Sequence, residues 1–89
     1  MNPCKTYVEV TVTFDDTGRM LPRDILWEDG SRFEIDRILD IRPAPALRAG
    51  GHGDRYTVRI GQQQSYLYFE RSPALSGACL GRWFVERKN

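Results

Sequence analysis

The side chains able to do chemistry in this sequence are few and scattered. His52 is the only histidine and lies in the tract Gly50-Gly51-His52-Gly53. A catalytic nucleophile needs a base within hydrogen-bond reach, and that base needs an orienting partner. Proton transfer rewards placement within about 0.5 Å. A histidine between glycines is held more loosely than that and reads as a solvated loop residue. Asp36 and Asp40 could flank a common site, and Asp15-Asp16 sit in a turn. Paired acids do general acid–base work when their surroundings separate their pKa values. Acids at turns and strand edges instead solvate or pair with arginine, which is the reading adopted here. Cys4, Cys79 and His52 offer three soft ligands with no CxxC or HxxxH spacing, so no metal site is expected. A glycine-rich phosphate cradle needs the amides of a following helix. Here a strand-like segment follows the glycines. The chain is therefore expected to be non-enzymatic, with no catalytic residue and no cofactor.

The stronger signal is a face. Tyr56, Val58 and Ile60 alternate with Arg55, Thr57 and Arg59, and Leu67 and Phe69 alternate with Tyr66, Tyr68 and Glu70. Residues of one parity on a strand share one side of a sheet. Folded as a hairpin, this stretch puts Arg55, Arg59, Tyr66 and Tyr68 on the outward side, with Thr57 among them and Phe84 joining from the last strand. Aromatic rings stack on bases or prolines, and arginine adds charge and cation–π attraction. Such rings also shield a sheet, and the Ser72–Gly81 loop, with Leu75 and Leu80, is long enough to cover Tyr66 and Tyr68.

The elements that must position this face are strands. Tyr7 to Phe14 alternate strictly, with Val8, Val10, Val12 and Phe14 on one side. β-branched residues at period two are the best strand signal available. Asp15-Asp16-Thr17-Gly18 supplies a turn. A second strand is expected from about Arg23 to Glu28. Asp29-Gly30 then closes a hairpin to a third strand near Arg32, and burial favours a three-residue loop pairing Trp27 with Phe33 and Ile25 with Ile35. Phe33 to Arg42 fits a strand broken by a bulge near Asp36-Arg37, and its middle also fits one helical turn. Pro43 and Pro45 are expected to end that element, and residues 44–54 to form a loop. For the next hairpin a four-residue loop over 61–64 sets Val58 against Leu67, Tyr56 against Phe69, Arg59 by Tyr66 and Arg55 by Glu70. Arg82 to Glu86 makes a short last strand.

Five to six short strands joined by Gly, Pro and Asp turns predict one all-β domain over residues 1–89. It is a small antiparallel meander curled into an SH3-like or similar partly open barrel. The 89-residue length leaves room for one core only, and a domain this small buries roughly 60–65% of its unfolded surface. A hydrophobic content of 40% excludes disorder. The formal net charge of +1 gives no strong field toward nucleic acid or an anionic membrane. Of the 13 basic residues all but Lys5 and Lys88 are arginine, the side chain suited to bidentate contacts with carboxylate and phosphate. No basic-then-apolar leader and no apolar run of about 18 residues is present. A cytoplasmic protein with reduced thiols and no membrane partner is expected.

Several phrases carry a resemblance. They are Trp27-Glu28-Asp29-Gly30, Ile35-Asp36-Arg37-Ile38-Leu39-Asp40-Ile41-Arg42, Arg55-Tyr56-Thr57-Val58-Arg59-Ile60, Tyr66-Leu67-Tyr68-Phe69-Glu70 and Arg82-Trp83-Phe84-Val85-Glu86. Taken together they resemble a family of small uncharacterised bacterial proteins. The family has no assigned activity, cofactor or catalytic residue, so the resemblance implies nothing functional.

Composition and pattern point to a binding module that recognises a protein or peptide through Arg55, Arg59, Tyr66 and Tyr68. The alternative is an accessory domain holding single-stranded nucleic acid on the same face. A monomer or weak homodimer is expected.

Overall fold

A computed structural model describes residues 4–46, 51–72 and 79–87. The alternating segments become seven strands: β1 (Cys4–Phe14), β2 (Met20–Leu26), β3 (Arg32–Glu34), β4 (Arg37–Ala46), β5 (Gly51–Ile60), β6 (Gln63–Arg71) and β7 (Gly81–Arg87). Neighbours are antiparallel, in the order β3-β2-β1-β7-β6-β5-β4. The expected all-β, partly open barrel is what forms, as a curled half-barrel, with seven strands where five to six were expected. No described residue is helical.

The extra strand arises where the sequence suggested a bulge. Ile35 donates its N–H to the Arg23 carbonyl on the β2 side, and Asp36 donates to the Arg59 carbonyl on the β5 side, both at 2.9 Å. The two-residue link thus carries the chain from one edge of the curled sheet to the other, and β3 and β4 belong to opposite ends of the strand order. The helical alternative at residues 36–41 is excluded by the pairing of β4 with β5. The bulge falls later, at Leu39, which is skipped between Ile38↔Val58 and Asp40↔Thr57.

β1 joins the two halves. Cys4 to Val8 pair with β7, whereas Glu9 to Phe14 pair with β2. A bulge opposite Thr11 and Val12 inserts Arg23 and bends β2 around the buried Pro22. Sheet curling of this kind turns Val8, Val10, Val12, Ile25, Tyr56, Val58, Leu67, Phe69 and Trp83 into one core. At its centre the Trp83 ring lies 4.9 Å from Phe69 and 5.1 Å from Tyr56, centroid to centroid. The Tyr56 hydroxyl donates a 2.9 Å hydrogen bond to the Met20 carbonyl, tying β5 to β2.

Both hairpins keep the expected faces but shift register by two residues. In the β2–β3 hairpin Ile25 faces Phe33 and Leu26 faces Arg32. The loop is Glu28-Asp29-Gly30, closed by Trp27 N–H on the Ser31 carbonyl. Its last position needs a left-handed backbone, which Gly30 supplies at φ 90°. That requirement places the loop one residue earlier than burial alone suggests. In the β5–β6 hairpin the loop is Gly61-Gln62, with Gly61 at φ 62° and Ile60 opposite Gln63. The Asp36 carboxylate accepts the Gly61 N–H at 2.7 Å and holds this tight turn. Tyr56 therefore faces Leu67 and Val58 faces Ser65, in place of the expected Phe69 and Leu67.

Two boundary expectations are corrected. Pro43 and Pro45 do not end their element: β4 runs on to Ala46, with β5 starting at Gly51 across from it. β4 is an edge strand, so a missing N–H on its outer side removes no ladder bond. β2 begins at Met20, before Arg23, because pairing with Phe14 extends it through the bulge.

Two substitutions test this frame. Tyr56→Phe leaves the Met20 carbonyl without its donor and should lower unfolding free energy by about 1 kcal/mol, read as a lower urea midpoint at unchanged slope. A Cβ at Gly81 would run into the Glu70 carbonyl and the Phe69 ring. Gly81→Ala should therefore cost about 1–3 kcal/mol; an unchanged midpoint would show that β7 does not approach β6 so closely.

Candidate nucleic-acid or peptide interface

Antiparallel pairing sets residues opposite one another on a common face. Tyr7 is opposite Phe84, Phe84 opposite Tyr68, Tyr68 opposite Arg55 and Arg55 opposite Arg42. One row thus crosses the outer side of β1, β7, β6, β5 and β4. Phe84 and Tyr68 stack with centroids 5.0 Å apart and planes 6° from parallel, and Tyr7 meets the Phe84 edge at 5.8 Å. Lys5 Nζ lies 4.7 Å from the Phe84 centroid and Arg82 Cζ 3.4 Å from the Tyr7 centroid. Phe84 is 3% exposed although it points away from the core. The sequence placed Phe84 on this face. It gave no sign that Tyr7, Lys5 and Arg82 would join it, because pairing of the first and last strands leaves no local pattern.

The row has two electrostatic ends. Around β1 and β7 the charges are paired: Lys5 Nζ is 2.6 Å from Glu70 Oε1, and the Tyr7 hydroxyl donates to the same carboxylate. The hydrogen bond from Lys5, then that from Tyr7, holds the Glu70 carboxyl below its usual 4.5. Around β4 and β5 the charges are uneven. Arg42 pairs with Asp40 at 2.6 Å. Arg37 is directly opposite Arg59, and among the described residues neither side chain has an ion pair or hydrogen bond. Like charges in that position repel.

Of the four residues singled out from sequence, three touch. Arg55 Cζ lies 4.7 Å from the Tyr66 centroid, and Tyr68 is its cross-strand neighbour. Arg59 is on the same face but faces Gln64, not Tyr66, and Arg55 faces Tyr68, not Glu70, as the shorter turn dictates. Tyr66 is 47% exposed, whereas Tyr68 is half-buried under Phe84. Leu75, expected as a possible cover, lies outside the described residues. Among the described residues the Nε of Arg55 is buried without a hydrogen-bond partner. Burial first, and then the neighbouring Glu86 carboxylate, push the Tyr68 phenol up to about 12.

Three of the acids considered for catalysis are engaged elsewhere. Asp36 caps the Gly61 turn, Asp40 holds Arg42, and Asp15 accepts the Thr17 and Arg19 amides in its own turn. His52 is opposite Pro45, at the far end of β5 from Asp36. Among the described residues no three His, Cys, Asp or Glu side chains cluster as metal ligands, and Cys79 is an exposed free thiol. No helix among them is long and apolar enough to cross a membrane.

Behind the outer face is a feature the sequence pattern did not reveal. The β6–β7 ladder stops at Tyr68↔Phe84. β6 continues to Gln63 against β5, and β7 continues to Arg87 against β1. The strands part there over an apolar cavity of about 560 Å³ at the mouth of the half-barrel, with Ile25, Trp27, Phe33, Val58, Ile60 and Val85 in its walls. Compared with protein families, curated proteins and solved structures, the chain gives no match.

The Tyr68 phenol gives a pH signature. A raised pKa means that the folded state holds the proton more tightly. The associated stability is full below pH 10 and is lost as pH rises toward 12. In a titration followed by ring-carbon NMR, Tyr68 should ionise near the upper end of that window, and Glu86→Gln should move its midpoint down. A Tyr68 midpoint at the ordinary value would place the ring in solvent.

Proposed function

We propose that this domain is a non-enzymatic binding module that recognises a protein or peptide segment through its outward Tyr/Arg face, centred on Tyr66. The observation that supports this reading is the half-exposed Tyr66 ring with the Arg55 guanidinium laid on it. An exposed aromatic already braced by arginine offers a large contact area at low cost in side-chain entropy. Arg59 and Arg37 extend the face with cations that have no described carboxylate partner. Tyr68 and Phe84 serve as its rigid base, since both are packed against each other.

A peptide-display selection against the domain tests this. Enriched peptides should bind at least tenfold more weakly to Tyr66→Ala and to Arg59→Ala, both with an unchanged thermal midpoint because these side chains are exposed. A selection that enriches nothing, or peptides indifferent to both variants, would overturn the reading. Oligothymidylate binding that maps to the same residues and weakens with salt would transfer the face to single-stranded nucleic acid.

A further inference from the structure

The parting of β6 and β7 exposes main-chain groups whose direction can be worked out. Arg59 gives its carbonyl to Asp36 on the β4 side. Main-chain groups alternate sides along a strand, so Val58 and Ile60 turn toward β6, and their partners Ser65 and Gln63 turn toward β5. Gln64 and Tyr66 must then turn their N–H and C=O away from β5, toward the gap. On β7 the same alternation, counted from Phe84 opposite Tyr68, turns the main chain of Glu86 toward the gap from the other side. Tyr66 and Glu86 would be the next pair to exchange hydrogen bonds, and they are not joined.

The structure assigns this gap to an extended peptide that adds to the β6 edge beside Gln64 and Tyr66. This rests on the proposed peptide-binding role and names its mode. Strand addition supplies affinity through main-chain hydrogen bonds and specificity through alternate side chains. The residue opposite Ser65 points inward, into the cavity walled by Val58, Ile60, Val85, Trp27 and Phe33. Its chemistry must be apolar, and a volume of about 560 Å³ admits a large aliphatic side chain. The residues opposite Gln64 and Tyr66 point outward, along the Tyr66 ring. There, among the described residues, Arg55 has a buried Nε without an acceptor, and Arg59, opposite Gln64, has no carboxylate partner. Acidic side chains complement that surface. The one acid on the far lip, Glu86, stands beside the Tyr68 phenol. The preferred partner is thus an extended segment with an acidic–aliphatic–acidic alternation, inserted aliphatic side down.

The test uses a capped pentapeptide of alternating glutamate and isoleucine, its lysine–isoleucine counterpart, and the isotope-labelled full chain at low salt. The glutamate peptide should bind at least tenfold tighter than the lysine peptide. It should slow hydrogen exchange at the Gln64 and Tyr66 amides and shift the methyl signals of Val58, Ile60 and Val85. Ser65→Trp, at an exposed position on the cavity lip, should weaken binding at least tenfold. Gln62→Trp, in the turn outside the lip, controls for surface change and should have no effect. Shifts confined to Arg55, Arg59 and Tyr66 side chains, with no amide protection, would overturn strand addition and leave the Tyr/Arg face standing. Equal binding of the two peptides would overturn the charge assignment. No binding by either would overturn the proposed mode, while the display selection decides the face independently.

Discussion

The fold depends on one contact, the packing of Trp83 against Tyr56 and Phe69 where the two halves of the curled sheet meet. β1 pairs first with β7 and then with β2, so it cannot lie flat in both. It bends, and the bend leaves a concave inner side that only a large ring from the shared region can fill. Trp83, opposite both Val8 and Phe69, occupies that point. The hydrogen bond from Tyr56 to the Met20 carbonyl then fixes the distance between β5 and β2. An indole and two further aromatic rings bury much area for few residues, which a chain of 89 residues needs.

Closing the inner side in this way determines what the outer side looks like. Bringing β7 between β1 and β6 aligns Tyr7, Phe84 and Tyr68 into a stacked row and buries Phe84 on a surface that ought to be wet. Lys5, Arg82 and Glu70 complete that end of the row by satisfying one another and the rings. The β4–β5 end has no such closure. Arg37 and Arg59 face one another at a cost in electrostatic energy that solvent reduces but does not reverse. The asymmetry separates a charge-paired end of the row from an end where two arginines face one another.

The cavity follows from the same geometry. β7 must stay with β1 to hold Trp83 in place, while β6 must stay with β5 through the Gly61 turn. Beyond Tyr68 and Phe84 these demands diverge, and the sheet opens. The hairpin of β2 and β3 reaches across with Trp27 and Phe33 and gives the opening apolar walls.

Period-two patterning made the all-β class, the two hairpins and the side-chain parity of residues 55–60 and 66–70 legible, which puts Arg55, Arg59, Tyr66 and Tyr68 on one face. Parity survives a register error of two residues, which is why the faces were right where the partners were wrong. The partners themselves turned on Gly30 and Gly61, whose positive φ angles set where each loop starts. Glycine permits such angles but does not demand them. Pro43 and Pro45 read as stops because an edge position cannot be known from sequence. Tertiary structure alone decided the strand switch at Ile35-Asp36, the alliance of Tyr7, Lys5 and Arg82 with the last strand, and the opening between β6 and β7. Each depends on pairing between segments far apart in the chain, and side-chain alternation carries no information about which strand becomes whose neighbour.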